Sequence, residues 1–431
     1  MYFYLATIVA IIAYVLYKFY IYHLYLSPLR KIPGPPVDNI ILGNHASPPF
    51  LNKQLGEAFV HLVKQYGGIV RFHGLLNEPN LLISDQKLIQ QVLSSYDYPK
   101  FQLSKTIVKE IFGEGLVIAE GNSHKRQRKV MTPSFAFANV KEMAPTFVQA
   151  GHKLKDIWIK QIGNKVEERI TVTELIPKIT LDIIGLVGSE LAQAYTSIIG
   201  QNYTPLYLSL LRFFPFIRNL PTSYNKQYFK SIKIISNISE KIVAEQKNSL
   251  VQGTDLLSLI TKANDSLPVN DQLTHKELIS QDRLRKEVSD VLTDRNYSPT
   301  VDEIEHLKYL ECVFKEAIRL IPPGIDTPLW IPVYAIHHDP LIWGDDAEDF
   351  NPSRWLDPEV KSKITHTNFL PFGAGPKSCL GMKMAYLEFK CLLAVIIRNF
   401  EFRLVEGFIF KTKIGGGLSR PLPGIDLWVS N

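Results

Sequence analysis

The chain has 431 residues, of which 46% are hydrophobic and 11% are aromatic. This composition supports a sizeable core and excludes a disordered or fibrous protein, while the length allows one large domain or two to three smaller ones. The net charge of +6 is modest and is not gathered into one basic run, so we expect no nucleic-acid partner. Three cysteines are too few for a disulfide framework, which favours a reducing compartment for the folded part.

The first 26 residues predict a membrane anchor. No charged residue occurs before Lys18, and the apolar and aromatic character continues to Leu26. That is about the length needed to span a bilayer. The flanking cations Lys18, Arg30 and Lys31 lie towards the C-terminal side, which places the body of the protein on the cytosolic face. A cleavable signal peptide is the weaker alternative, since no small-residue cleavage site follows.

Residues 27–36 predict a hinge between the anchor and the body. They include the run Lys31-Ile-Pro-Gly-Pro-Pro36. Proline lacks an amide donor and clashes with the preceding turn, so this run cannot continue a helix. We therefore expect a stiff spacer that holds the body at a fixed offset from the membrane.

The remaining residues, 37–431, predict one large domain that is mainly α with a small β part. Short runs at 69–72 and 80–84 predict a β-hairpin, and further strands are expected near 329–334 and after 399. Helical periodicity dominates elsewhere, and Asp85 has the position of an N-cap. The helical segments are predicted at 58–66, 85–93, 141–162, 171–186, 228–250 and 284–292.

One cysteine lies in a loop rich in glycine and proline. Cys379 belongs to the run Pro371-Phe-Gly-Ala-Gly-Pro-Lys-Ser-Cys-Leu-Gly381, just before a strongly apolar helical pattern. Backbone amides and a helix N-terminus favour the thiolate form that binds metal, and glycines let a flat ligand approach the backbone. The competing interpretation of any single cysteine is a buried structural thiol. We assign that packing role to Cys312 and Cys391, which lie in apolar helical patterns.

This run resembles the haem-binding signature of the cytochrome P450 superfamily, F-x-x-G-x-[RH]-x-C-x-G. Phe372, Gly375, Cys379 and Gly381 match the signature, whereas Lys377 stands where the family has arginine or histidine. The resemblance implies the cytochrome P450 fold and haem b as the cofactor, with Cys379 as the axial ligand of the iron. Lys377 keeps the positive charge of the usual residue but lacks the planar fork of arginine.

Two further segments resemble the family's structural lock around this loop. Glu316 and Arg319 are three residues apart and hence on one face of a predicted helix. Arg354 lies in the run Phe350-Asn-Pro-Ser-Arg-Trp355, which is similar to the family segment F-x-P-x-R-[FW]. The resemblance implies that Arg354 engages Glu316 and Arg319 and thereby fixes the loop that presents the thiolate.

Three histidines and an arginine complete the candidate residues. His124 and Arg128 are four apart on a predicted helix, in the place of the family's W-x-x-x-R pair, which implies hydrogen bonds to a haem propionate. His337 and His338 precede Asp339-Pro340. For these two we predict an exposed turn rather than metal ligation.

The resemblance implies a microsomal monooxygenase. Such an enzyme inserts one oxygen atom from O2 into a small lipophilic substrate (a fatty acid, a sterol or a xenobiotic), with electrons from NADPH delivered by a flavoprotein reductase. A thiolate ligand donates electron density to haem iron and favours O–O cleavage. Lys377, Lys383, Lys390 and the cations around Arg126 predict a basic docking face for an acidic reductase. We expect a single-pass protein of the endoplasmic reticulum membrane, in contact with membrane lipid.

The sequence departs from the family where relatives have a long central helix. Between Val251 and Asp302 there is no [AG]-G-x-[DE]-T-[TS] motif, whose acid and hydroxyl help to protonate bound dioxygen in relatives. We therefore identify no catalytic acid or threonine. Abrupt joins near 188–189, 281–282 and 324–327 predict internal deletions, and losing a buried helix outweighs the ~5–15 kcal/mol that stabilises an ordinary domain.

The missing segments predict that the chain folds poorly or binds haem weakly, and two alternative functions stay open. One is a haem-thiolate isomerase or dehydratase that does not need O2. The other is a catalytically dead splice or gene-model variant.

Overall fold

The structure is a computed structural model that describes chiefly residues 2–47, 55–98, 114–183, 215–234, 301–322, 330–405 and 411–430, with short gaps. The predicted helix at 284–292 and most of the one at 228–250 lie outside these residues. So do the three predicted joins near 188–189, 281–282 and 324–327.

The described residues form short and medium helices with a minor β component. In chain order the helices are α1 (Tyr2–Leu16), α2 (Leu55–Tyr66), α3 (Gln86–Ser94), α4 (Gly121–Met131), α5 (Phe137–Glu142), α6 (Ala144–Ile162), α7 (Val172–Ile183), α8 (Val301–Glu305), α9 (Lys308–Leu320), α10 (Val333–His337), α11 (Pro340–Trp343), α12 (Pro358–Lys363) and α13 (Met382–Asn399). The strands are β1 (Ile69–His73), β2 (Pro79–Ile83), β3 (Glu168–Thr171), β4 (Glu401–Leu404), β5 (Lys411–Gly415), β6 (Leu418–Leu422) and β7 (Asp426–Ser430). This confirms the expectation of a mainly α protein with a small β part.

Internal contacts divide the chain into two compact units, each discontinuous in sequence. The first unit comprises Met1–Tyr98, Tyr203–Ile217 and Ala317–Lys377, and the second comprises Pro99–Asn202, Arg218–Glu316 and Ser378–Asn431. The boundary falls inside α9, after Glu316, and inside the cysteine loop, after Lys377. The single large domain expected over 37–431 remains a prediction.

The N-terminal segment is helical from Tyr2 to Leu26 and again from Pro28 to Lys31, with an extended backbone at Ser27 between them. Helix α1 continues as a π-helix over Tyr17–Leu26, and Ser27 begins a short 3₁₀ turn by accepting the amide of Leu29. The stretch Tyr2–Lys31 is long and apolar enough to cross a membrane, with a mean hydropathy of 1.8 in its most apolar window, no part of which is buried. The proline-rich run that follows packs against β1. The Arg71 amide donates to the Pro33 carbonyl over 2.8 Å, and a Cβ on Gly34 would lie 1.8 Å from the Arg71 carbonyl oxygen.

The first unit contains the predicted hairpin. Strands β1 and β2 pair antiparallel, with Val70 opposite Leu82. These side chains are buried together with Phe59 of α2. Helix α3 follows as predicted, because the Asp85 carboxylate accepts the Leu88 amide at 3.0 Å and so caps the helix.

The second unit is built around the contact between α6 and α13. Side chains with full or nearly full burial interlock along this contact, and the absence of a side chain at Gly151 lets Val395 approach closely. Each large apolar side chain that is fully buried in this way contributes ~1.5–3 kcal/mol. An antiparallel sheet with the strand order β3-β7-β4 also belongs to this unit, and β5 pairs with β6 in a separate hairpin.

Two sequence predictions about elements are wrong. The helix expected over 141–162 is interrupted at Met143, because Pro145 in the first turn of α6 has no amide to donate to Lys141. The strand expected at 329–334 is a single bridge between Leu82 and Trp330, followed by α10. Pro332 is the N-cap of α10, and a proline amide cannot extend a strand ladder.

Candidate functional site

The cysteine loop ends at the start of α13. Gly381 is the N-cap of this helix, and Cys379 lies two residues earlier with its side chain exposed. The other two cysteines are buried, and Cys391 lies in the core of the second unit. The packing role predicted for Cys312 and Cys391 is therefore confirmed, and Cys379 alone of the three presents its thiol to the surface.

The thiol of Cys379 is not activated by the protein alone. Although the residue is exposed overall, withdrawal of solvent by the surrounding protein raises the pKa of its thiol above the usual value. The backbone amide of Gly381 and the charge of Arg128 act in the opposite direction without prevailing. The Gly381 amide favours the thiolate, as the sequence predicted for backbone amides, but desolvation of the charged form outweighs this amide and the Arg128 cation. A coordinated metal ion, in contrast, deprotonates a thiol outright.

Arg128 holds the residue next to Cys379. From α4, its Nη1 donates to the Ser378 carbonyl oxygen at 2.6 Å and its Nη2 donates to Ser378 Oγ at 3.2 Å. His124 lies one turn earlier on α4 and is 2% exposed. The structure thus brings Arg128 to the cysteine loop by a contact with Ser378 that the sequence did not indicate. Binding of a propionate by His124 and Arg128 remains a prediction.

Two backbone carbonyls lie close to the part of the loop in the first unit, and one of them accepts a hydrogen bond from it. Gly375 has φ +69°, and a Cβ there would lie 2.1 Å from the Leu93 carbonyl oxygen. The Nζ of Lys377 donates to the Tyr98 carbonyl oxygen at 2.6 Å. The conformation of the loop therefore explains why a glycine is needed at 375, where the family signature also has glycine, and what the lysine at 377 contacts. Lys377 uses its charge to fix the loop, and its role beside a cofactor remains a prediction.

Arg319 crosslinks backbone segments inside the first unit. It is fully buried on α9, and its Nη1 donates to the carbonyl oxygens of His337 at 2.6 Å and Ala347 at 2.7 Å. Its Nη2 donates to the Asp349 carbonyl oxygen at 3.1 Å. The guanidinium also lies 5.3 Å from the ring centre of Trp343. A planar guanidinium with five donors suits this set of divergent acceptors.

Arg354 binds the same turn from the other side. Its Nη1 donates to the Trp343 carbonyl oxygen at 2.6 Å and to Asp346 Oδ1 at 2.8 Å. Its Nη2 donates to the carbonyl oxygens of Asp346 at 2.8 Å and Asp349 at 3.3 Å. Hydrogen bonds from Asn351 and Arg354 hold the pKa of the Asp346 carboxyl below its usual value, against a smaller effect of burial.

The two arginines therefore meet at the carbonyl oxygen of Asp349. Glu316 lies on the same helix as Arg319 and is fully buried, and its predicted engagement with Arg354 remains a prediction. The sequence did not single out Asp346 or the carbonyls of its turn as partners. The run Trp343-Gly-Asp-Asp has the composition of a turn, and backbone carbonyls in a turn can accept hydrogen bonds. A sequence pattern does not show which distant side chain donates to them.

The expectation of an exposed turn at His337 and His338 is wrong. His337 is fully buried and His338 is 2% exposed. Burial is tolerated because the ring nitrogens of His337 lie 3.0 Å from the Arg319 carbonyl oxygen and 2.9 Å from the Leu370 amide nitrogen. His338 stacks on Tyr334, with 3.9 Å between ring centres. Burial lowers the pKa of His337 to about 3, so this imidazole is neutral.

The basic docking face expected around the loop loses one of its cations. Lys390 is 4% exposed and lies on α13 with its Nζ 2.8 Å from Glu311 Oε2 and 3.6 Å from Glu305 Oε1. Burial acts to raise the pKa of Glu311, but Lys315 and Lys390 outweigh it and leave that pKa lowered. Lys390 forms a buried ion pair within the protein, so its charge does not reach the surface where a partner would dock. Lys383 is exposed and remains available.

The donor chemistry of the site fits haem rather than a bare metal ion. In the part of the chain that the structure describes, no three or more His, Cys, Asp or Glu side chains converge as metal ligands. A single exposed thiol leaves most coordination positions of a metal ion unfilled. Cys379 therefore suits an iron that brings its own planar set of nitrogen ligands, which is what a haem provides.

Comparison with known proteins identifies the family. The family model for cytochrome P450 matches residues 33–281 and 273–427. The chain thus belongs to the cytochrome P450 family, which confirms the resemblance and implies a haem cofactor.

Several curated relatives are named monooxygenases. Cytochrome P450 monooxygenase 128 from Postia placenta is 28% identical, with 92% of this chain and 90% of the relative aligned. Cytochrome P450 monooxygenase claP from Ampulloclitocybe clavipes is 26% identical, over 80% of this chain and 81% of that protein. Cytokinin hydroxylase from Arabidopsis thaliana is 28% identical, over 81% and 78%. By this resemblance the chain is an enzyme of the cytochrome P450 monooxygenase class.

Proposed function

We propose that the chain is a membrane-anchored haem-thiolate monooxygenase that inserts one oxygen atom from O2 into a small lipophilic substrate, such as a fatty acid, a sterol or a xenobiotic. The observation that carries the proposal is the single exposed thiol of Cys379 at the start of α13, in a chain of the cytochrome P450 family. The names of its relatives favour this activity over an isomerase or a dehydratase.

Haem b is the proposed cofactor, with Cys379 Sγ as the axial ligand. When bound, haem supplies the oxygen-activating chemistry, which a thiolate ligand promotes by electron donation. Residues around Cys379 favour its thiolate form and orient the loop that carries it. The Gly381 amide and the Arg128 charge lower the cost of the thiolate, and Arg128 orients the adjacent Ser378 through two hydrogen bonds. A guanidinium has five N–H donors, so Arg128 can also serve a propionate, with His124 as the second donor.

NADPH would supply the electrons through a flavoprotein reductase. Support for an acidic partner comes from the cations of α4 and the start of α13, namely Lys125, Arg126, Lys129 and Lys383. Interactions between exposed charges are screened by salt. Reductase-supported turnover should therefore fall as ionic strength rises, while turnover with an added peroxide should not.

The proposed location is the endoplasmic reticulum membrane, with the body of the protein facing the cytosol. The apolar helix Tyr2–Lys31 supports a single-pass anchor. Its charged residues, Lys18, Arg30 and Lys31, lie towards the body, as expected for a cytosolic flank. Membrane lipid would then be a permanent partner of the anchor.

Internal deletions relative to the family remain part of the proposal. The two segments matched by the family model overlap at 273–281, beside the join predicted at 281–282. The alignment with the first Postia placenta relative has 502 positions whereas this chain has 431 residues, so at least 71 positions lack a counterpart here. Reading the transcript across residues 281–282 decides whether the central helix is missing from the protein that is made.

The ligand assignment is tested by spectroscopy of the full chain. Cells that make the protein, reduced and treated with carbon monoxide, should show a thiolate-type Soret band, and this band should be weak because the predicted deletions weaken haem binding. The Cys379→Ser variant should lose this band, while the Cys312→Ser variant should keep it, because Cys312 is a packing residue. A band that is unchanged in Cys379→Ser would overturn the assignment, and absence of haem from the parent protein would favour the inactive variant.

A further inference from the structure

His337 connects three separate segments of the first unit. It lies on α10 and is fully buried. Its Nδ1 is 3.0 Å from the carbonyl oxygen of Arg319, at the end of α9, and Arg319 Nη1 donates back to the His337 carbonyl at 2.6 Å. Its Nε2 is 2.9 Å from the backbone nitrogen of Leu370. The ring therefore bridges the helix of the arginine lock and the residue that precedes the cysteine loop.

Only one state of the imidazole satisfies both bonds. The Leu370 amide can only donate, so Nε2 must be the acceptor, and Nδ1 must carry the hydrogen that is donated to the Arg319 carbonyl. Protonation would turn Nε2 into a second donor aimed at the Leu370 amide. The low pKa of the buried His337 ring, about 3, keeps the required neutral state throughout the physiological range.

Leu370 is the upstream anchor of the loop. It is 4% exposed and packs with Ile336 and Ala374. Its carbonyl accepts the Gly373 amide at 3.0 Å, so the first turn of the loop starts from this residue. Further along, Gly375 rests against the Leu93 carbonyl and Lys377 is bound to the Tyr98 carbonyl. The stretch from 370 to 377 is thus held at three points, and His337 provides the first of them.

We propose that His337 is a positioning residue, which fixes the start of the loop that carries Cys379 by accepting the Leu370 amide. Without this acceptor the Leu370 amide is buried and unsatisfied, and the segment moves to find another partner. The consequence for haem rests on the proposed function. The consequence for the loop does not, because the hydrogen bond belongs to the protein itself.

Two amide substitutions at His337 test its two hydrogen bonds separately. In His337→Gln the side-chain oxygen can take the place of Nε2 and accept the Leu370 amide. In His337→Asn the shorter side chain can take the place of Nδ1 and donate to the Arg319 carbonyl, but it leaves Leu370 without an acceptor. Both variants replace an aromatic ring with an amide, so general effects of lost packing act in both. His338→Asn is the matched control, because the Nδ1 of His338, the C-cap of α10, lies 2.8 Å from the Tyr334 carbonyl oxygen, and an asparagine can take the place of this nitrogen.

The primary measurement is amide hydrogen exchange on the full chain without haem, with far-UV circular dichroism to show that each variant is folded. In His337→Asn, exchange at Leu370 and in the loop to Leu380 should accelerate at least about fivefold, the factor that corresponds to one ordinary hydrogen bond. In His337→Gln and His338→Asn it should stay within about twofold of the parent rate. Equal acceleration in the Asn and Gln variants of His337, or acceleration confined to Leu370, would overturn the proposal.

The second measurement is the reduced carbon monoxide spectrum of the haem-loaded protein. The His337→Gln variant should keep the thiolate-type band of the parent. In His337→Asn part of the intensity of this band should be replaced by the band of haem bound to a neutral thiol. Identical bands in both variants would overturn the positioning of Cys379 by His337. If the parent chain binds no haem, the proposed function fails, whereas the exchange experiment still decides whether His337 holds the loop.

Discussion

The substitution Arg354→Lys tests whether the arginine lock depends on the fork of a guanidinium rather than on charge. Arg354 is 3% exposed and makes four hydrogen bonds, to the carbonyl oxygens of Trp343, Asp346 and Asp349 and to the Asp346 carboxylate. A lysine ammonium is a single point of three donors and cannot reach acceptors on both sides of the fork. The Asp349 carbonyl keeps its hydrogen bond from Arg319, so at least one of the other three acceptors loses its donor.

The expected cost follows from the number of acceptors left unsatisfied. Each buried polar group without a partner destabilises by about 1–3 kcal/mol, so the loss is at least about 1–3 kcal/mol. This is a measurable part of the ~5–15 kcal/mol that stabilises an ordinary domain. The variant should unfold at a clearly lower urea concentration than the parent.

The assay is urea unfolding of the full chain in detergent, with tryptophan fluorescence as the signal that monitors unfolding. Trp343 and Trp355 are good reporters, because their ring centres lie 5.4 Å apart beside Arg354. Arg403→Lys is the control. Arg403 is 54% exposed and pairs with Glu167 at 2.7 Å, so this change should cost less than about 1 kcal/mol. If the two lysine variants unfold within ~0.5 kcal/mol of each other, the lock does not depend on the fork.

Three further predictions concern other parts of the chain. Gly375→Ala places a Cβ 2.1 Å from the Leu93 carbonyl oxygen at φ +69°, so the variant should lose the thiolate-type band and melt at a lower temperature. Gly67→Ala is the control, because its Cβ has open space around it at φ +93°, and this variant should lose only ~1–2 kcal/mol of stability. Glu388 has a pKa raised to about 8 by burial. Because the folded protein holds a proton that the unfolded chain releases above pH ~4.5, stability falls as the pH rises from ~4.5 to 8, and Glu388→Gln should remove this decline in urea unfolding measured between pH 5 and 8.5. An unchanged slope in that variant would contradict the burial of an uncompensated carboxyl. Removal of residues 1–26 should move the protein from the membrane pellet to the supernatant, and a truncated chain that stays in the pellet after a high-salt wash would show a second membrane contact.

Local features of the sequence were sufficient for several elements and for the family. The hairpin of β1 and β2 follows from alternating residues on two short runs, and the start of α3 follows from an N-cap at Asp85. The cysteine motif led to the cytochrome P450 family because its key positions lie within ten consecutive residues. Such features depend on neighbours along the chain, which sequence patterns report directly.

Burial and long-range partners were decided only by the tertiary structure. His337 looked like part of an exposed turn, but it is buried because Arg319 and Leu370, 18 and 33 residues away, satisfy both of its ring nitrogens. Lys390 looked like a docking cation, but Glu305 and Glu311 on other helices neutralise it. The sequence by itself determined which residue types could bind haem and where α3 begins. The structure decided which polar groups find partners, because hydrogen bonds between distant segments depend on packing that no local periodicity encodes.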